Sequence, residues 1–467
     1  MCNKNRGTIS VRFSMFLHVD TTRGLWAIAL GFSDKGDRSM SRIVFDRVSY
    51  LTPDGVIAVA NIRIVDGIIT EITDDAIACV PGDERISLPH KLLLPGLVNA
   101  HGHAPMSLLR GLKDDAPLAE WLQAHMWPAE ARYTAADVRA GAMLAMMEMI
   151  ASGTTTFLDM YDHMDVVAQA VEDVGMRAVL SRGIIGLCSE VEQAAKVAQA
   201  QAFVRDWHGA AQGRITAMIA PHALYTCPPA LVETLIGVAH AYRVPLHIHL
   251  SETAHEVAQH VVQYGMRPPV HLQQLGAYDL SLVVAHAVHV DDAEIAAFAA
   301  HGVSVVHNPR SNLKLASGVA PVPQMLQAGV NVCLGTDSAA SNNNLDMFQE
   351  LRTAALVHKG ITYDPTAVPA HAAWHMATRA GAQALQLPHV GHIAVGMQAD
   401  VIAIDVRAPH LQPNAKLPSH IVYAASGADV TDVWTAGKRL LCNREYTTID
   451  EERVRFDVAQ ACARIRA

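Results

Sequence analysis

Two histidines one residue apart, His101-Gly102-His103, are the segment of this 467-residue chain best suited to chemistry. Residues two apart in an extended segment project the same way, so both imidazoles can reach one ion. A third histidine and one carboxylate would complete a site of borderline hardness with room left for water. The chain supplies candidates: His222 after Pro221, His249 with Glu252 three residues on, His286, and Asp337 inside Leu334-Gly335-Thr336-Asp337. A cation held this way lowers the pKa of its water from about 15.7 toward roughly 7, giving hydroxide at neutral pH. Taken singly, each piece has an ordinary reading. An isolated His-x-His is more often structural than a ligand pair, a strand-end histidine commonly just hydrogen-bonds, and an aspartate after Gly-Thr often sits in a turn or caps a helix. Their joint placement at predicted strand ends weighs against those readings.

The elements that must position them alternate strand and helix. Strands are predicted at Leu94–Asn99, Thr154–Asp159, Ala178–Arg182, Ile215–Ala220, Pro245–Leu250, Leu282–His286, Val303–His307 and Val330–Gly335, with helices between them, including 135–151, 190–207 and 229–242. Eight such repeats predict a (β/α)8 TIM barrel, in which the strand C-termini meet at one mouth and form the active face. A doubly wound open sheet is the competitor, but no Gly-rich phosphate fingerprint follows an early strand. Alternating strands at both chain ends, with turns at Asp66-Gly67 and Ala436-Gly437, predict a small β-sandwich domain from residues 42–96 and 395–448. The catalytic barrel then spans 97–394, and 449–467 reads as a C-terminal helix. Residues 1–41 read as a poorly ordered extension, with a natural start offered after Met40.

Composition narrows the function classes. Hydrophobic residues make up 51% and charged residues 17%, which excludes a mainly disordered protein. The net charge is -9 and the 36 Lys and Arg are scattered, so neither nucleic acid nor an anionic membrane is an expected partner. Seven dispersed cysteines without a C-x-x-C pair fit reduced thiols in the cytoplasm. No apolar run approaches the roughly 18 residues of a membrane span, and no cleavage site marks a signal peptide. Some patterns mislead. His247, two before His249, reads as a packed core histidine. His255-Glu256-Val257-Ala258-Gln259-His260 spaces its histidines five apart, so they share no helix face. Neither His289 nor the Met143–Met149 stretch is expected to act in chemistry.

Leu94-Pro95-Gly96-Leu97-Val98-Asn99-Ala100-His101-Gly102-His103 resembles the first-strand signature of the amidohydrolase superfamily. The continuation through Arg110-Gly111, Trp127-Pro128-Ala129-Glu130, His307-Asn308-Pro309 with Ser311-Asn312-Leu313-Lys314-Leu315, and Gly335-Thr336-Asp337 with Ala339-Ala340-Ser341-Asn342-Asn343 resembles the 5'-methylthioadenosine/S-adenosylhomocysteine deaminases, relatives of the triazine hydrolases. The likeness covers about residues 42–448. It implies a barrel with a two-ended β-sandwich and one Zn2+ or Fe2+ on His101, His103, His249 and Asp337. It further implies Glu252, His286 and Asp337 in catalysis, His222 and Glu252 at the purine, Glu130 at the ribose hydroxyls, Arg182 near the substrate's tail, and a homo-oligomer. The implied activity is hydrolytic deamination of an adenosine-type nucleoside. The alternatives are a triazine or other aromatic-ring amino- or chlorohydrolase, a guanine- or pterin-type deaminase, and a barrel that only binds. Two departures stand out. Ile184 to Lys196 lacks the second arginine of some relatives, which disfavours S-adenosylhomocysteine, and Ser338 replaces a usual glycine.

Overall fold

Strands that are apolar on both faces build the central architecture. The computed structural model describes residues 41–413 and 416–466. The predicted extension, apart from Ser41, lies outside them. Five strands open the chain: β1 (Arg42–Leu51), β2 (Ile57–Val65), β3 (Ile68–Thr73), β4 (Asp83–Ser87) and β5 (Lys91–Pro95). Eight parallel strands follow: β6 (Leu97–Asn99), β7 (Thr154–Tyr161), β8 (Arg177–Ile184), β9 (Ile215–Pro221), β10 (Leu246–Leu250), β11 (Leu282–His286), β12 (Ser304–His307) and β13 (Asn331–Leu334). They pair in sequence order from β6 to β13. Across the seam, the Ala100 N–H donates to the Leu334 carbonyl at 2.9 Å and the Asp337 N–H to the His101 carbonyl at 3.1 Å. Along each strand alternate residues face opposite ways. Leu158, Val179, Met218, Val283, Val306 and Cys333 pack in the lumen, while their neighbours Phe157, Leu180, Ile219, Val284, Val305 and Leu334 pack outward against the helices.

The helices begin where side chains satisfy their free N–H groups. Thr134 with Asp137, Ser189 with Glu192, and Asp291 with Glu294 form capping boxes at the starts of helices Ala135–Ala151, Glu190–Trp207 and Asp292–His301. The predicted first strand is broken. Lys91–Pro95 belongs to the end sheet, and the barrel strand starts at Leu97. Gly96 makes the switch in contact with β7, since a Cβ there would lie 2.1 Å from Thr155 Oγ1.

The chain ends build a nine-stranded mixed sheet with β14 (Val401–Asp405), β15 (Val430–Thr435), β16 (Lys438–Cys442) and β17 (Glu445–Tyr446). β5 pairs antiparallel with β14 and thereby joins the two ends. The sheet folds over its own core: Phe45 on β1 meets Trp434 on β15 edge-to-face at 5.1 Å, and β3 bonds through Ile69 to Gly396 and Met397. At the bottom of the barrel, buried Arg177 of β8 pairs with Asp400 through bonds of 2.7 and 3.1 Å. The helix Glu451–Arg466 packs against Ala135–Ala151 and the 3-10 turn Ala104–Leu109 that follows His103. Among the described residues no helix is long and apolar enough to cross a membrane.

Candidate active site

The predicted site residues sit at the strand C-termini on the mouth of the barrel. His101 and His103 follow β6, His222 follows β9, His249 and His286 end β10 and β11, and Asp337 follows β13. Several of these turns use backbone that L-residues rarely adopt: φ is 51° at Ser251 beside Glu252, 74° at His286 and 60° at Asp337. Such left-handed residues cost free energy and cluster where a side chain must be aimed.

Three imidazoles converge. One ring nitrogen each of His101, His103 and His249 lies within 4.8 Å of the others. The opposite nitrogens are anchored. His103 Nδ1 lies 2.6 Å from the Met160 carbonyl oxygen, His249 Nδ1 lies 2.8 Å from that of His222, and His101 Nδ1 lies 2.9 Å from His247 Nε2. The Nε2 atoms are thereby left facing one another, 3.3 Å apart for His103 and His249. Asp337 Oδ1 joins them at 3.3 Å from His103 and 3.6 Å from His101. Its Oδ2 accepts hydrogen bonds from Ser311 at 2.6 Å and Ser341 at 2.8 Å. Ser338 takes an ordinary extended conformation (φ -76°) and caps the next turn through Ser341, so no glycine is required there.

These donors fit a divalent cation. His101 Nε2 is buried without a hydrogen-bond partner, a costly state unless something positive sits before it. Burial drops the His101 pKa to about 4 and holds His249 well below the usual range, so both favour the neutral form a ligand needs. Burial also works against a charged His103, but Asp337 outweighs it and lifts that pKa to about 9. Asp337 is itself buried, which works to raise its pKa, yet the adjacent imidazoles of His101 and His103 hold its carboxyl well below the usual range. The cluster is thus arranged around positive charge.

Beside it, Glu252 Oε2 lies 3.8 Å from His286 Nε2, and Glu252 Oε1 accepts from Ser317 at 3.4 Å. Burial raises the Glu252 pKa. Asn312 Oδ1 lies 2.8 Å from His286 Nδ1 and fixes the ring. Sequence reasoning missed Glu256, whose carboxylate accepts the Ser251 and Glu252 N–H groups at 2.9 and 2.7 Å. Its signal was the Thr253-x-x-Glu256 pattern of a helix start. Ser311 and Ser341 lie within the motifs of the family resemblance, but sequence reasoning gave them no role at Asp337.

A cavity of about 270 Å3 opens on these groups. Trp121, Trp127, Leu122, Met106 and Leu315 form apolar wall, and His222 reaches it with its ring centroid 4.7 Å from that of His249. Glu130 accepts from the Tyr161 hydroxyl at 2.6 Å. Arg182 pairs with Asp162 at 2.8 Å. Lys196 also lines the cavity and donates to the Ile185 carbonyl at 2.7 Å. The stretch without a second arginine therefore still delivers a second cation to the wall. A cation centre, a buried carboxylate and an imidazole on one partly apolar cavity can carry out hydrolysis of a bound small molecule.

Residues 92–440 match the amidohydrolase family. A 5-methylthioadenosine/S-adenosylhomocysteine deaminase of Halalkalibacterium halodurans is 48% identical over 404 residues, covering 85% of this chain and 91% of that protein. An adenosine deaminase from Xanthomonas campestris with bound zinc superposes with a TM-score of 0.85 at 38% identity, covering 91% of this chain and 98% of that one. A zinc complex of an atrazine chlorohydrolase from Arthrobacter aurescens superposes with a TM-score of 0.83 at 23% identity, covering 90% and 100%, a likeness of fold alone.

Proposed function

The chain belongs to the amidohydrolase family, and on that footing we propose that it deaminates an adenosine-type nucleoside by hydrolysis: 5'-methylthioadenosine, S-adenosylhomocysteine or adenosine. The proposal includes one divalent ion per chain, zinc before iron, held by His101, His103, His249 and Asp337. It also includes a homo-oligomer that binds no nucleic acid. When bound, the ion supplies Lewis acidity that lets a water lose its proton near neutrality.

The chain's own groups do the rest. Glu252 takes that proton and, as the water oxygen bonds to the amine-bearing carbon, hands it to the adjacent ring nitrogen. Burial raises its proton affinity, which suits a group that must act first as base and then as acid. His286, steadied by Asn312, and Asp337 hold the new hydroxyl on the tetrahedral carbon. The proton of that hydroxyl then passes to the amine, the carbon–nitrogen bond breaks, ammonia leaves and a carbonyl remains. His222 faces the purine, Glu130 the ribose hydroxyls, and Arg182 the tail. Lys196 and Asp162 beside Arg182 offer two cations and one carboxylate, which suits the amino-acid tail of S-adenosylhomocysteine and returns it to the candidates.

The observation that carries this reading is the partnerless, buried His101 Nε2, facing His103 and Asp337 on the cavity that Glu252 and His286 also line. The test is ammonia release from methylthioadenosine, S-adenosylhomocysteine, adenosine, guanine and a triazine such as melamine, with metal analysis of the same preparation. Turnover confined to the adenosine derivatives supports it. Turnover of guanine or the triazine alone rejects it in favour of the alternative deaminases and triazine hydrolases.

A further inference from the structure

Seven of the eight barrel strands send apolar side chains into the lumen: β6, β7, β8, β9, β11, β12 and β13. The exception is β10. Leu246, Ile248 and Leu250 face its outer side, so alternation turns His247 and His249 inward. His249 stands at the mouth. His247 lies one layer deeper, fully buried and in register with Val283. An imidazole among hydrocarbons is costly unless both nitrogens are satisfied.

Both are. His247 Nδ1 lies 3.0 Å from the Val283 carbonyl oxygen, and His247 Nε2 lies 2.9 Å from His101 Nδ1. A main-chain carbonyl can only accept, so His247 Nδ1 must carry the proton. A neutral imidazole has one N–H, and a charged ring in this apolar layer would be far more expensive. His247 Nε2 is therefore bare and can only accept. His101 Nδ1 must then donate, which leaves the lone pair on His101 Nε2. That is the buried atom with no partner, 3.6 Å from Asp337 Oδ1.

We propose that His247 is a positioning residue that relays the polarity of the Val283 carbonyl to His101 and so fixes the tautomer whose lone pair faces the cation site. This rests on the metal centre proposed above, and it replaces the sequence reading of His247 as mere packing. Each link is a hydrogen bond with one permitted direction, so the backbone of β11 sets the ligand state of a residue that follows β6.

The test compares H247F, which fills the space but cannot accept, with H247Q, whose amide oxygen can still accept from His101 and whose NH2 can donate to Val283. Zn2+ affinity is measured by competition with a chelating dye, and the ligand field by the visible absorption of the Co2+-substituted protein. Zn2+ affinity in H247F is expected to fall by about 10–100-fold, the usual cost of losing a hydrogen-bond partner of a ligand. The Co2+ bands should shift, and H247Q should recover both. Wild-type affinity and spectrum in H247F overturn the relay, as does equal damage in both variants. If H247F fails to fold, ring 15N shifts of the Zn2+-loaded wild type decide: protons on Nδ1 of both His247 and His101 uphold the relay, and a proton on His247 Nε2 refutes it. Should the wild type take up no Zn2+, the metal-centre reading fails, while the same shifts in the metal-free protein still decide the direction of the His247–His101 bond.

Discussion

Replacing Glu252 by glutamine removes one ionisable group and almost no volume. Glutamine Oε1 can keep the 3.4 Å contact with the Ser317 hydroxyl, and the backbone N–H stays bound to Glu256 at 2.7 Å. None of the three converged histidines donates to Glu252, so metal content should be unchanged. What disappears is the carboxylate that lies 3.8 Å from His286. General acid–base catalysis is worth about 10²–10⁴ in rate. Because one carboxylate serves both proton transfers here, the loss belongs at the upper end, near 10⁴-fold in kcat, or about 5 kcal/mol at 1.36 kcal/mol per decade. The assay is steady-state ammonia release from methylthioadenosine by E252Q, with metal stoichiometry measured on the same sample. KM should stay within a few-fold, since the nucleoside's other contacts remain. A fully metallated E252Q with kcat within about tenfold of wild type would refute the shuttle.

Three further outcomes follow from the same geometry. K196M should lower kcat/KM for S-adenosylhomocysteine by about 10–100-fold, the worth of one hydrogen bond to a charged group, and leave methylthioadenosine within about threefold; equal effects on both substrates would remove Lys196 from tail recognition. D400A strands Arg177, which is 4% exposed, and deprives the Ala436 N–H of its 2.7 Å acceptor; breaking a buried pair costs about 3–5 kcal/mol, readable as a lower urea midpoint, while the folded fraction keeps its kcat because the pair lies at the closed end of the barrel. Glu350 is buried and its pKa is pushed by burial from 4.5 to about 8, so the native state holds a proton that the unfolded chain releases. Stability from this group is full below pH 4.5 and falls as pH rises toward 8, by up to about 5 kcal/mol. E350Q should flatten that part of the pH dependence in urea unfolding, and an unchanged slope would discard the assignment.

Much of the fold was legible because it is written over short distances. Short, nearly continuous apolar runs separated by helical segments mark the barrel strands, and the Thr134/Asp137 and Ser189/Glu192 pairs mark helix starts within three residues of each other. The His-x-His spacing is likewise local, and it pointed to the pair that the structure brings together. Other features were decided only by closure of the barrel. The break at Gly96 depends on Thr155 lying against it from the next strand. Lys196, on the second turn of the helix Glu190–Trp207, reaches the cavity wall because that helix follows β8. Ser311 and Ser341 find Asp337 from two separate turns. His247 looks like packing in sequence because its polarity comes from a carbonyl on β11 and its target follows β6. Periodicity states which way a side chain points, but a hydrogen bond also needs a partner at about 3 Å and the right angle, and across strands far apart in the chain only the assembled barrel sets those two quantities.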